Sequence, residues 1–89
     1  MYSIEFSLNA EKQLLKLERD VSKRIVTTLE RISIRPHSHI KRLVNCPYYS
    51  LRVGEYRLIL DIRQDKLIIF VIEIGHRKNV YDVWRITIY

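Results

Sequence analysis

The stretch LRVGEYRLILDI at residues 51–62 decides the fold of this 89-residue chain. Two apolar-alternating runs meet at Gly54, and glycine adopts the positive φ of a tight turn without the steric cost of a Cβ. The stretch therefore predicts a β-hairpin. In its second strand, side-chain alternation assigns one face to four residues, Tyr56, Leu58, Leu60 and Ile62. The other face holds Arg57, Ile59 and Asp61. We therefore predict that one face is core and that the other carries a cation.

The composition is that of one ordered domain covering residues 1–89. Hydrophobic residues make up 47% of the chain and charged residues 29%, with two glycines and two prolines, which separates it from disordered sequences. The longest apolar run, residues 67–72, is much shorter than the roughly 18 residues that span a bilayer, and the N-terminus lacks a basic-then-apolar signal pattern. These features favour a cytoplasmic protein that does not bind a membrane.

Positive charge predominates. The chain has 16 Lys and Arg against 10 Asp and Glu, a formal net charge of +6. Such an excess favours association with phosphate backbones, because counterions are released on binding. It also suits an acidic protein partner, and both partners can apply to one protein.

The first 36 residues predict a strand followed by two helices. Residues 2–6 alternate as in a short strand, and Ser7 or Asn9 can cap the helix that follows. The apolar stripe of that helix comprises Ala10, Leu14, Leu15 and Leu17. Asp20 is predicted to cap a second helix, which Pro36 ends. The buried face of this helix is marked by Val21, Ile25, Leu29 and Ile32.

The remaining residues predict consecutive strands. The predicted segments are an edge strand at 40–45, hairpin strands at 48–53 and 56–63, a turn at 64–66, and a strand at 67–72 that ends over 73–76. Residues 77–89 fit either a last helical turn or a terminal strand. Helices followed by strands predict an α+β fold with an N-terminal strand, a two-helix hairpin and a three- to four-stranded antiparallel meander. Both helices would cover one face of the sheet and leave the opposite face free.

Polar groups are predicted to converge on that free face. Arg57 points there by alternation, and the motif Gly-His-Arg-Lys at residues 75–78 follows the adjacent strand, which returns to the same end of the sheet. Tyr81 follows shortly after. Guanidinium groups bind phosphate oxygens, an aromatic ring stacks on a base, and imidazole titrates near neutral pH. The set therefore suits a phosphodiester.

Three motifs in this order suggest a family: RVGEYR at residues 52–57, GHRK at 75–78 after a long apolar strand, and VYD at 80–82. With the two preceding helices, they resemble the RelE/ParE superfamily of toxins from toxin–antitoxin modules over nearly the whole chain. The resemblance implies a cytoplasmic endoribonuclease of the RelE type. Such an enzyme cuts mRNA on the ribosome, needs neither metal nor cofactor, and is neutralised by a protein antitoxin, which the positive charge here predicts to be acidic.

The resemblance also implies roles for individual residues. The 2′-OH attacks the neighbouring phosphorus, with Arg57 and Arg77 matching the family arginines that stabilise the phosphate and Tyr81 the tyrosine that stacks on or orients a base. Family members with lysine bases carry them where this chain reads Tyr-Tyr-Ser at 48–50. His76 is therefore the predicted base. Further RNA contacts are expected from four cations, Lys41, Arg42, Arg52 and Lys78.

Other readings of the same residues remain open. Arg52 can instead pair with Glu55 beside the hairpin turn, and the aromatic residues of the tail can close the edge of the sheet. A ParE-like toxin that acts on DNA gyrase would share the fold without needing the phosphate-cleaving set. A third reading is an inactive module that only binds its antitoxin, which the missing lysines favour.

Overall fold

A computed structural model describes residues 1–44 and 46–76 of the chain. Its helices are α1 (Leu8–Lys16), α2 (Arg19–Ile32) and a short 3₁₀ helix (Pro36–Ser38). Its strands are β1 (Ser3–Phe6), β2 (Lys41–Arg42), β3 (Tyr49–Val53), β4 (Tyr56–Arg63) and β5 (Ile68–His76). The prediction for the tail, residues 77–89, lies outside the described residues, as does the predicted end of the edge strand at Asn45.

The strands form one five-stranded sheet in the order β1-β5-β4-β3-β2. The β2–β3, β3–β4 and β4–β5 pairs are antiparallel, which confirms the predicted meander, and Gly54 turns the central hairpin with a φ of 60°. The N-terminal strand β1 pairs with β5 in parallel. The fold is therefore α+β as predicted, with a mixed sheet larger than the meander alone.

The main core lies between the helices and one face of the sheet, here called the helical face. From the helices it takes Ala10, Ile25, Leu29 and Ile32. From the sheet it takes Leu51, Val53, Leu58, Leu60, Ile69, Val71 and Ile74. This confirms the predicted buried face of α2 and the predicted core face of β4. In α1 only Ala10 is buried, and Leu15 is 77% exposed, so the predicted stripe was too wide.

The start of the first helix agrees with one of the two predicted caps, and the start of the second differs from its prediction. Ser7 caps α1, its Oγ accepting from the backbone N–H of Ala10 at 3.0 Å. The second helix starts earlier than predicted: Glu18 is its N-cap, and Asp20 lies in the first turn, where a carboxylate is favourable near the positive end of the helix dipole. Among residues 1–44 and 46–76, no helix is long and apolar enough to cross a membrane.

Helix α1 explains why β5 is longer than predicted. The pairing with β1 ends at Val71, and beyond it side chains of α1 bond to the exposed strand edge. Ser7 Oγ donates to the Ile72 carbonyl at 2.8 Å, and the Ile74 N–H donates to Gln13 Oε1 at 2.7 Å. These bonds satisfy backbone groups that β1 leaves unpaired, and pairing with β4 continues to His76.

A second apolar cluster covers part of the opposite face, here called the open face. Leu43 and Ile59 are buried in it, with Cys46, Tyr48 and Ile72 packed around them. Leu43, which follows β2, and Tyr48, which precedes β3, thus pack over the middle of the sheet. The prediction that this face is free was therefore wrong for the part that this cluster covers. Cys46, which is half-buried, has a packing role here.

Candidate nucleic-acid interface

Two arginines lie side by side on the open face, at the end next to the hairpin turn. Arg52 of β3 and Arg57 of β4 are direct cross-strand partners, and direct partners point to the same face. Arg52 is exposed and its Nε donates to the Gly54 carbonyl at 3.1 Å, whereas Glu55 lies near His76. The alternative pairing of Arg52 with Glu55 is therefore not found. Like charges in directly opposed positions destabilise a sheet, so this pair carries a cost in stability.

Arg57 is the more enclosed of the two. Its side chain is half-buried and its Nε is buried. On its other side, the cross-strand partner in β5 is Gly75, which has no side chain. The row across the sheet therefore reads Arg52, Arg57, Gly75. Arg77, two residues along the chain, lies outside the described residues, as do Lys78 and Tyr81.

His76 does not share a face with Arg57. It is the cross-strand partner of Tyr56, and the two rings meet edge to face with centroids 5.8 Å apart. Tyr56 packs against the main core, so this pair belongs to the helical face. The imidazole Nε2 lies 3.3 Å from Glu55 Oε2. The expectation that Arg57 and His76 converge on one face was therefore wrong. His76 pairs with Tyr56, the residue next to Arg57 on β4, and adjacent residues of a strand point to opposite faces.

A cavity of about 260 Å³ lies on the helical face beside Tyr56, whose ring contacts that of His76. It separates α2 from the hairpin turn and is lined by Val21, Arg24, Val53, Gly54, Glu55 and Tyr56. The Arg24 guanidinium approaches Gly54, with Nη1 3.5 Å from the position that a Cβ would take there. A contact of this kind between distant segments leaves no local pattern in the sequence.

The edge strand separates the two cations predicted to act together. Lys41 pairs with Ser50, and Arg42 pairs with Tyr49. Ser50 lies two residues before Arg52 and so shares the open face, whereas Tyr49 pairs with the core residue Leu60. Lys41 therefore belongs to the open face and Arg42 to the helical face. Both side chains are exposed, which gives a matched pair of cations on one strand.

Charge repulsion between Arg52 and Arg57 has a measurable consequence. An Arg52→Gln substitution should raise the free energy of unfolding by about 0.3 kcal/mol at low salt, because it removes one of two opposed cations. The gain should vanish at high salt, where surface charges are screened. Arg63→Gln is the control: Arg63 Nε lies 3.1 Å from Asp61 Oδ2, so its removal should bring no gain. Urea denaturation at two salt concentrations measures both, and equal responses of the two variants would contradict the repulsion.

Comparison with known proteins identifies the family. A family model described as "ParE toxin of type II toxin-antitoxin system, parDE" matches residues 4–81. This chain belongs to that family. The match confirms the resemblance to the RelE/ParE superfamily that the sequence motifs indicated. The ParE-family chain is thus a toxin of a type II toxin–antitoxin system.

Relatives of this ParE-family toxin carry the RelE name. It is 28% identical over 82 residues to the mRNA interferase toxin RelE of Escherichia coli (strain K12), covering 88% of this chain and 85% of that protein. Its fold matches the toxin–antitoxin complex RelBE of E. coli with a TM-score of 0.73 and 27% identity, over 85% of this chain and 96% of the other. A toxin–antitoxin complex from Mycobacterium tuberculosis matches with a TM-score of 0.77 and 25% identity, over 85% and 98%.

Proposed function

We propose that this ParE-family toxin is an endoribonuclease that cleaves mRNA on the ribosome and thereby inhibits translation. The observation that carries the proposal is the cross-strand pair of Arg52 and Arg57 on the open face. Two guanidinium groups a strand apart can hold a phosphodiester from both sides, and a pair that costs stability is retained where it serves a ligand. The similarity to a relative named mRNA interferase supports the same activity.

The proposed chemistry is attack of the ribose 2′-oxygen on the adjacent phosphorus. The P–O5′ bond breaks, the departing 5′-oxygen takes up a proton, and the products end in a 2′,3′-cyclic phosphate and a 5′-hydroxyl. Negative charge accumulates on the phosphorane, and Arg57 with Arg77 would stabilise it. Tyr81 would stack on or orient a base, and Lys78 would bind the RNA backbone. No step requires a metal ion.

His76 is proposed as the base that removes the 2′-OH proton. Its contact with Glu55 Oε2, at 3.3 Å, supports this role, since a carboxylate can orient an imidazole. As the last residue of β5, it can reach a phosphate on the open face only across the end of the strand. The proposal therefore places the reacting phosphate at the end of the sheet, between the two faces.

A substitution tests that base. His76→Asn should slow single-turnover cleavage about 10- to 100-fold, at the lower end of general-base effects because water can accept the proton at this half-exposed site. Free imidazole in the buffer should restore part of the rate. Glu55→Gln, which leaves the imidazole in place, should slow cleavage only a few-fold. A His76→Asn enzyme with the parental rate would remove His76 from the mechanism.

Induced expression followed by primer extension on cellular mRNA tests the function itself. New 5′ ends in phase with codons, together with arrested growth, are expected. Arrested growth without new 5′ ends would reject the nuclease. Unimpaired growth without new 5′ ends would support the inactive, antitoxin-binding module.

The second candidate is inhibition of DNA gyrase. One observation favours it: the family model that matches residues 4–81 is that of the ParE toxin. The chain also lacks a lysine at residues 48–50, so it need not retain the cleavage chemistry. A supercoiling assay with purified gyrase separates the two proposals, since only the ParE-like activity predicts inhibition there.

An acidic antitoxin is the proposed protein partner. The two solved relatives described above are toxin–antitoxin complexes, and the formal net charge of +6 favours an acidic chain through steering and charge neutralisation. Purification of this chain from its native cells should bring down a small acidic protein that is encoded beside it. Recovery of the toxin alone would contradict this partner.

A further inference from the structure

The cationic surface on the open face extends beyond the two arginines to the edge of the sheet. Lys41 of β2 pairs with Ser50 of β3, and Ser50 in turn pairs with Ile59 of β4. This row lies next to the row of Arg52 and Arg57, because Ser50 and Arg52 are two residues apart on one strand. Leu43 confirms the direction: it follows Lys41 by two residues and packs against Ile59 in the open-face cluster.

The spacing of strands and residues places Lys41 near the two arginines, although it is not directly opposite either of them. Strands lie about 4.8 Å apart and alternate residues about 6.8 Å apart, so the Cα atoms of Lys41 and Arg57 are separated by roughly 12 Å. Arg52, in contrast, is directly opposite Arg57. A phosphate held between the two arginines would therefore be followed, along the same nucleic-acid strand, by one within reach of Lys41.

One carboxylate in the same row as Lys41 is held by α1. Glu73 is the cross-strand partner of Ile59, in the same row as Lys41. Its Oε1 accepts from Gln13 Nε2 and its Oε2 from Asn9 Nδ2, each at 2.8 Å, so α1 occupies both oxygens. Both oxygens of Glu73 are therefore bonded to α1 rather than to Lys41.

Ser50 leaves a polar group unused in the same place. The residue is 2% exposed, and its Oγ has no hydrogen-bond partner among residues 1–44 and 46–76. A buried hydroxyl without a partner costs stability, and such groups are commonly explained by a water or an ion. Because Ser50 is covered, a nucleic acid would contact the exposed side chain of Lys41 and not this hydroxyl.

We propose that Lys41, beside Ser50, forms a second phosphate subsite that binds the backbone phosphate next to the one being cleaved. The ligand is single-stranded RNA, which crosses the open face from β4 towards the edge strand β2. This inference rests on the proposed function and deepens it, since it fixes the direction in which the RNA leaves the site. Arg42, on the helical face, does not take part.

Binding of short oligonucleotides to the full chain tests the subsite. The ligands are 2′-O-methyl trinucleotides, which cannot be cleaved: one with both phosphates charged, and two in which either linkage is a neutral methylphosphonate. Their dissociation constants are measured by NMR titration for the parent, Lys41→Gln and Arg42→Gln. For the fully charged ligand, Lys41→Gln should weaken binding about three- to fivefold, the effect of one exposed ion pair, and Arg42→Gln should leave it unchanged.

The neutral linkages identify which phosphate the lysine binds. One of the two methylphosphonate ligands should bind equally well to Lys41→Gln and to the parent, because it lacks the phosphate charge that Lys41 contacts. Three results would each overturn the subsite. The first is an equal effect of Lys41→Gln and Arg42→Gln, and the second is an effect of Lys41→Gln that persists with each of the two methylphosphonate ligands. The third is no binding by the parent. Cleavage of mRNA in the primer-extension assay would in all these cases leave the nuclease itself standing.

Discussion

Replacing Arg57 with alanine should slow cleavage of ribosome-bound mRNA about 100- to 1,000-fold, the loss that follows removal of one well-placed donor to a developing negative charge. Arg57 is half-buried, lies directly opposite Arg52, and has the side-chain-free Gly75 as its other neighbour. Its guanidinium is thus held where water is partly excluded, which strengthens its interaction with a phosphorane. Single-turnover cleavage at saturating toxin measures the effect.

Two further variants show whether the loss is specific. Arg57→Lys keeps the charge but loses the planar fork, so about a tenfold loss is expected. Arg63→Ala, on the same strand, should cleave at the parental rate because its guanidinium is engaged by Asp61. Urea denaturation of all three proteins separates a chemical defect from unfolding. A folded Arg57→Ala protein with parental activity would end the nuclease proposal as it stands.

Replacing Leu58 with alanine should lower the free energy of unfolding by about 3–4 kcal/mol, within the range for fully buried leucines. Leu58 is 0% exposed on the central strand β4, between Leu51 of β3 and Ile74 of β5. A chain of this length has a total stability on the order of 5–13 kcal/mol, so a quarter or more would be lost. Urea denaturation measures the change, and a lower steady-state level of the toxin in cells should accompany it.

Leu15→Ala makes the same chemical change at a position that is 77% exposed. Surface substitutions of this kind are usually within about 0.5 kcal/mol of neutral, so the two variants differ only in burial. The comparison also tests the width of the α1 stripe, since the sequence pattern placed Leu15 in the core. Similar losses for Leu15→Ala and Leu58→Ala would mean that α1 buries more surface than its exposure indicates.

The hairpin was predictable because its information is local. Gly54 supplies the positive φ of the turn, and alternation on either side of it assigns Leu58 to the core and Arg57 to the opposite face. The same reasoning failed at β5, where a register irregularity beside Ile59 and Leu60 and the cover supplied by α1 have no signal in the strand's own sequence.

The candidate site was predictable in composition but not in arrangement. Arg57 and the residues around His76 were named from the motifs, and the structure brings the ends of their strands together. Alternation then places His76 on the helical face with Tyr56. Likewise, Lys41 and Arg42 are adjacent in sequence and look equivalent there, yet pairing with Ser50 and Tyr49 assigns them to different faces.

By itself, the sequence of this toxin determined the α+β class, the central hairpin, the buried stripe of α2 and the family, because turn chemistry, side-chain periodicity and motif order are properties of neighbouring residues. Only the tertiary structure decided that β1 joins β5 in parallel and that α1 bonds to both carboxylate oxygens of Glu73. These are pairings between segments distant in the chain, and their register is set by packing of the whole core.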